Sequence, residues 1–203
     1  MAAAGIDQID GEEAPPREIT VLLLNYVPQA TRDLAGARKR ASAVFQHPGV
    51  SLDWHACGAE DSQVTDDPTC QQVVSPEKIQ LRIVHRFKSA PGVADRDTMG
   101  FAIGDIATVS VGKIEEFRLY VSKPRPEVFG YAIAYEIGHV LLHQAHHSPV
   151  GIMRAYWSHE DIELAGAPGM AFTPEEANVI RADIQASSMQ VQAMQLAFSA
   201  SAK

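Results

Sequence analysis

The chain has no apolar run approaching the roughly 20 residues that a bilayer-spanning helix requires. The longest such run, Ile19 to Leu24, is short and interrupted by Thr20. Basic residues are in the minority, 17 Lys and Arg against 25 Asp and Glu, for a formal net charge of −8. An acidic chain of this kind argues against nucleic acid and anionic membrane as principal partners. Internal repeats are lacking too. The opening stretch MAAAGIDQIDGEEAPPRE has neither a basic region nor an apolar core, so residues 1–17 read as a disordered tail and not as a leader.

Cysteine is nearly absent. Only Cys57 and Cys70 occur, separated by the polar, turn-rich GAEDSQVTDDPT. Two free thiols in a loop are one reading. The other is a disulfide closing about 14 residues, which would contribute roughly 3 kcal/mol through the unfolded state. A disulfide implies an oxidising, extracytoplasmic compartment.

What remains is ordinary for a globular domain: 46% of residues are hydrophobic and 21% charged. Glu18 to Tyr26 is a β-branched and leucine-rich run closed by Pro28, and predicts a buried strand. From Thr31, apolar residues recur at Leu34, Ala37, Ala41, Val44 and Phe45, the spacing of an amphipathic helix that Pro48-Gly49 ends. VSLDWHA alternates Val50, Leu52 and Trp54 inward as a second strand, and IQLRIVHRF alternates Ile79, Leu81, Ile83 and His85 as a third. Ser89 to Gly104 is punctuated by Gly, Pro and Asp and reads as irregular. ATVSV, Ala107 to Val111, reads as a short edge strand.

Pro124 and Pro126 precede EVFGYAIAYEIGHVLLH, which predicts one long helix with Pro126 in its first turn. Ser148 to Gly151 is a turn, and Ser158 with Asp161 caps a short helix. Thr173-Pro174-Glu175-Glu176 is a capping box opening a helix through Ile180 and Ile184. After Ala186 the composition turns to Ala, Ser, Gln and Met, so 187–203 is either an extension of that helix or a flexible tail. Strands followed by helices indicate an α/β or α+β domain over 18–186, with helices packed on a mixed, twisted sheet.

The segment richest in chemistry is Tyr135-Glu136-Ile137-Gly138-His139 and its continuation through His143, His146 and His147 to Met153. Four of the chain's eight histidines fall between 139 and 147, beside a glutamate. Histidine is the commonest metal-ligating side chain, so the cluster points to a metal. Glu136, His139 and His143 lie at helical spacing and could form a two-histidine, one-carboxylate site. His143 and His146 could equally be a polar helix end beside the negative pole of the helix dipole. His55, His85 and His159 read as structural or solvated, and Trp54 and Trp157 as core.

AYEIGHVLLH…HSPVGIMRAYW resembles the signature of metzincin and matrixin zinc peptidases, and most of all a bacterial pattern of the kind AHEIGHLLLG…HSPxGIMRAxW. In that signature HExxH on a helix is followed by a turn, a third histidine and a methionine turn. The resemblance implies zinc as cofactor, His139 and His147 as ligands, and Glu136 as general base toward a zinc-activated water. It also implies Met153 in the methionine turn, Gly138 at a small position before the second histidine, and a peptide or protein substrate. It extends from about Ile19 to Ile184, includes the cysteine loop, and implies a long active-site helix with a C-terminal helix. ATVSV would correspond to the strand that pairs with an extended substrate.

The chain departs from the signature in three places. Tyr135 stands where the first metal-binding histidine belongs, and a phenol must shed a proton of reference pKa near 10 to become a strong ligand. No glycine ends the helix near His143-Gln144, where an αL residue is preferred. His147 lies two residues further from position 135 than the metzincin spacing, as in the bacterial pattern. Two functions follow as expectations. One is a zinc-dependent peptidase impaired at Tyr135; the other is an inactive relative that binds a peptide or protein in the same cleft. Tyr156 shortly after Met153 is either a packing residue or the zinc-proximal tyrosine of some metzincins.

Overall fold

A computed structural model of the chain describes residues 17–58, 67–71, 78–87, 98–143, 147–163 and 170–201, with backbone alone described at 159, 195, 198, 200 and 201. The proposed N-terminal tail up to residue 16, most of the Cys57–Cys70 loop, residues 88–97 of the irregular stretch, and His146 therefore lie outside the described residues. The described chain forms a mixed α/β structure on one five-stranded sheet of order β2-β1-β3-β5-β4.

β1 (Arg17–Asn25) lies inside the sheet between β2 (Val50–Ala56) and β3 (Lys78–Val84), parallel to both. Ile19, Val21 and Leu23 are buried on one face and Leu22 on the other. A parallel strand covered on both faces demands such a continuous apolar run. α1 (Thr31–Gln46) makes the crossover from β1 to β2, burying Leu34, Ala37, Ala41, Val44 and Phe45 as the periodicity predicts. Each such large side chain contributes about 1.5–3 kcal/mol when fully buried.

The far side of the sheet corrects the sequence reading. ATVSV is not the edge: β5 (Ile106–Ser110) runs parallel to β3, and the edge strand is the antiparallel β4 (Gly100–Ile103). β4 and β5 form a hairpin whose two-residue connection has Gly104 at φ +60. The Gly-Asp dipeptide between two apolar runs is a hairpin signal, but β4 is only four residues long. Its alternation is lost in the punctuated stretch before it. Val111 begins α2 (Val111–Arg118), capped by the Ser110 hydroxyl, which accepts from Lys113 N–H at 3.2 Å. β3 stops at Val84, so His85 is exposed and does not join the inward row.

α3 (Arg125–Leu142) packs against α1, α2 and the sheet, and most of its side chains are buried. Gly130 permits its closest approach to α1: a Cβ there would sit 2.7 Å from the Ala37 carbonyl oxygen. α4 (His159–Glu163) is capped as expected, Asp161 N–H donating to Ser158 Oγ at 3.1 Å. α5 (Pro174–Ser201) opens on the capping box and continues to the end of the described chain, so the Ala/Ser/Gln/Met segment prolongs the helix.

Cys57 and Cys70 are joined in a disulfide. Beside it, His55 lies between two carboxylates, Asp67 at 2.6 Å from Nδ1 and Asp53 at 2.7 Å from Nε2. Hydrogen bonds to Asp67 and then Asp53 raise the His55 pKa above its ordinary 6.5, and the bond to His55 lowers that of Asp67. A histidine whose pKa rises on folding stabilises the fold fully below its unfolded pKa, and the gain is lost as pH climbs through the folded value. Asp67 acts in the opposite direction, its contribution vanishing as pH falls through its lowered value. The stability difference between the parent chain and His55→Asn is therefore expected to peak between those limits and shrink above the raised His55 pKa. Denaturant titrations across pH 4–9 measure it; a difference that grows with rising pH would contradict the assignment.

Candidate functional site

Tyr135, Glu136 and His139 all lie on α3, and residues four apart share one helix face. The rings of Tyr135 and His139 meet edge to face with centroids 4.6 Å apart. α3 ends at His143, which adopts the left-handed conformation at φ 49, ψ 30. It is the only non-glycine residue with positive φ among the described residues. The helix therefore terminates in the αL geometry that glycine prefers, but with a histidine in the place. His143 Nε2 lies 2.7 Å from Asp183 Oδ1 on α5. Its ring is engaged there, and Glu136, His139 and His143 do not form the two-histidine, one-carboxylate site that their spacing allowed.

The chain re-enters at His147, whose ring lies 5.2 Å from that of His139, nearly perpendicular, and 6.1 Å from the Tyr135 ring, nearly parallel. Trp157 packs edge-on against Tyr135 at 5.3 Å, and its indole N–H donates to the Ile152 carbonyl at 2.9 Å. Trp157 is thus half-buried, packed against the hydrophobic core as Trp54 is, and it also lines the site wall. Tyr135 occupies a space bounded by two imidazoles and an indole.

Met153 is buried beneath these residues. A Cβ on Gly138 would come within 2.8 Å of both Met153 Sδ and Phe172 Cε1. Gly138 therefore lets the Met153 segment lie directly against α3. Gly138→Ala is expected to overpack this contact and cost about 1–3 kcal/mol in denaturant unfolding. A stability unchanged from the parent chain would show that the segment can retreat freely.

Glu136 is 2% exposed, and its Oε2 has no hydrogen-bond partner. Burial pushes its pKa well above the usual carboxylate range. Its carboxyl lies against Gly100 of β4, where a Cβ would meet Glu136 Oε1 at 2.6 Å and the Thr108 carbonyl at 2.4 Å. Buried carboxyl oxygens ordinarily have partners, so the unpartnered Oε2 in a cleft makes Glu136 a candidate for chemistry. Tyr135 is also shifted: burial, and secondarily the Glu136 charge, raise its pKa far above that of free phenol.

Tyr135, Glu136, His139, His147 and Trp157 line one cleft of about 990 Å³ between α3, α2, β4 and residues 154–157. Phe101, Phe117, Leu119, Tyr120 and Tyr156 supply its apolar walls. Tyr156 is 65% exposed, which makes it a wall residue at the surface. The contributions of α2 and β4 escaped sequence reasoning because neither element was recognised. The Gly104-Asp105 turn was the available signal.

The imidazoles of His139 and His147 are donors of the kind zinc takes. Beside the two imidazoles stands Tyr135, a phenol whose pKa burial raises. Among the described residues, no three His, Cys, Asp or Glu side chains gather closely enough to hold a metal. The described residues thus bring two imidazoles together, His139 and His147, with the Tyr135 phenol beside them, one protein ligand short of a three-ligand zinc site.

No family model and no curated protein matches the chain. Solved structures share its fold, two of them as follows. An archaemetzincin from Methanopyrus kandleri is 15% identical with a TM-score of 0.52, over 84% of this chain and 98% of that one. A zinc-dependent peptidase from Methanocorpusculum labreanum is 12% identical with a TM-score of 0.53, over 79% of this chain and 99% of that one. The chain therefore has the fold of solved zinc metallopeptidases.

Proposed function

We propose that the chain is a zinc-dependent metallopeptidase of metzincin type, weakened at its first ligand position by Tyr135. The observation that carries this reading is Glu136. A buried carboxyl group with one oxygen unpartnered, at the floor of a cleft, is costly to keep, and it lies one residue from Tyr135 on the helix that also presents His139. His139 and His147 would hold the ion, and Met153 would support it from below. When bound, zinc would supply Lewis acidity toward water and a peptide carbonyl. A cation in the cleft would favour the ionised form of Glu136 against its burial, and that carboxylate would accept the proton of the attacking water and deliver it to the departing amine. The walls of the cleft and the free edge of β4 would align an extended peptide.

The acidic net charge supports a peptide or protein substrate over nucleic acid or membrane. Among the described residues no helix is long and apolar enough to cross a membrane. The Cys57–Cys70 disulfide supports an oxidising, extracytoplasmic location. Hydrolysis of unfolded casein tests the activity. Slow cleavage that rises with added zinc and stops with a chelator is expected. Cleavage indifferent to chelator, or absent at saturating zinc, would contradict it.

A second reading has its own observation. Burial keeps the Tyr135 phenol protonated, a state unsuited to ligation. A cleft of this kind would bind a peptide without cutting it. Stoichiometric capture of an intact peptide in the presence of chelator would favour that role.

A further inference from the structure

The capping box of α5 uses more of its glutamate than a cap requires. Glu176 Oε2 accepts the Thr173 N–H at 2.7 Å, and Thr173 Oγ1 accepts the Glu176 N–H at 3.2 Å, which completes the box. The other carboxylate oxygen, Oε1, accepts the hydroxyl of Ser148. Glu176 is only 8% exposed, so each of its oxygens needs a partner from the protein. Ser148 is the residue immediately after His147.

The same short loop is pinned at other points. Ser148 N–H donates to the Met153 carbonyl at 2.9 Å, closing the loop on itself. Ile152 N–H donates to the Ala171 carbonyl at 2.9 Å, just before α5. Gly151, at φ +78, allows that approach, since a Cβ there would lie 2.6 Å from the Ala171 oxygen. Residues 171–176 therefore grip the loop at two places, and the grip nearest His147 is the carboxylate of Glu176.

We propose that Glu176 is a positioning residue for His147: through Ser148 it holds the loop so that the imidazole faces His139. The role in metal binding rests on the zinc reading above; the role in loop order does not. Outer partners of this kind typically change metal affinity about 10–100-fold. Ser148→Ala separates positioning from capping, because it cuts the loop link and leaves the Thr173–Glu176 box intact. Glu176→Ala removes both. Glu176→Gln keeps a side chain that suits the capping box and can still meet the Ser148 hydroxyl.

The test is amide hydrogen exchange over residues 147–154 in the metal-free chain, with zinc affinity measured on the same variants. Ser148→Ala and Glu176→Ala are expected to speed exchange in this segment about tenfold or more, leaving β1 and β3 unchanged. Both should weaken zinc binding about tenfold or more, and Glu176→Gln should restore both properties. Faster loop exchange in Ser148→Ala supports the proposal whether or not zinc binds. Unchanged exchange in Ser148→Ala overturns it. Failure of the unaltered chain to bind zinc, with loop exchange still responding, removes the metal reading and leaves Glu176 as the organiser of the loop.

Discussion

Tyr135→His is expected to strengthen zinc binding by at least about 100-fold and to raise zinc-dependent peptide hydrolysis in step. Changes to outer partners of metal ligands already cost about 10–100-fold, and a ligand itself should count for more. An imidazole at position 135 offers a neutral nitrogen, whereas the phenol there is held protonated by burial. The surroundings are ready for the exchange. His139 is one helical turn away with its ring 4.6 Å from position 135, and His147 faces both. The smaller ring would leave Trp157 without part of its edge-to-face partner, so a loss of about 1 kcal/mol in metal-free stability should accompany the gain. Isothermal titration with zinc and a casein assay measure the two effects. An unchanged affinity would mean that the site has been reshaped beyond one residue.

Glu136→Gln, made in the Tyr135→His background where activity is greatest, should lower kcat by about 10²–10⁴ while leaving zinc affinity within a few-fold. The amide matches the carboxylate in shape, so the packing against Gly100 is kept. It cannot take a proton from water. A parallel loss of zinc binding would instead identify Glu136 as a ligand. Retained kcat would remove it from the chemistry.

How much of this was legible in the sequence depends on the length over which each signal ran. α1 and α3 were legible because their apolar spacing persists for several turns, and β1 because a strand covered on both faces must be apolar throughout. The caps at Ser158 and Thr173 were legible because their partners lie three residues away. β4 was not, since four residues cannot establish a period. Its pairing with β5 moved the edge of the sheet away from Ala107–Val111 and closed the cleft from an unexpected side. The rings of Tyr135, His139 and His147 meet, but the engagement of His143 had no signal in the sequence. Its partner, Asp183, lies 40 residues away on another helix. The second role of Glu176 was hidden likewise, because its capping role already explained its presence.

Zinc stoichiometry tests the central claim most directly. The purified chain would be stripped with chelator, re-equilibrated with one equivalent of Zn²⁺, separated from free ion and analysed for metal, beside His139→Ala and His147→Ala. The account predicts up to one zinc per unaltered chain, rising to one as free zinc is increased, and none in either variant. No zinc in the unaltered chain at any concentration, or zinc equally retained by both variants, would contradict it.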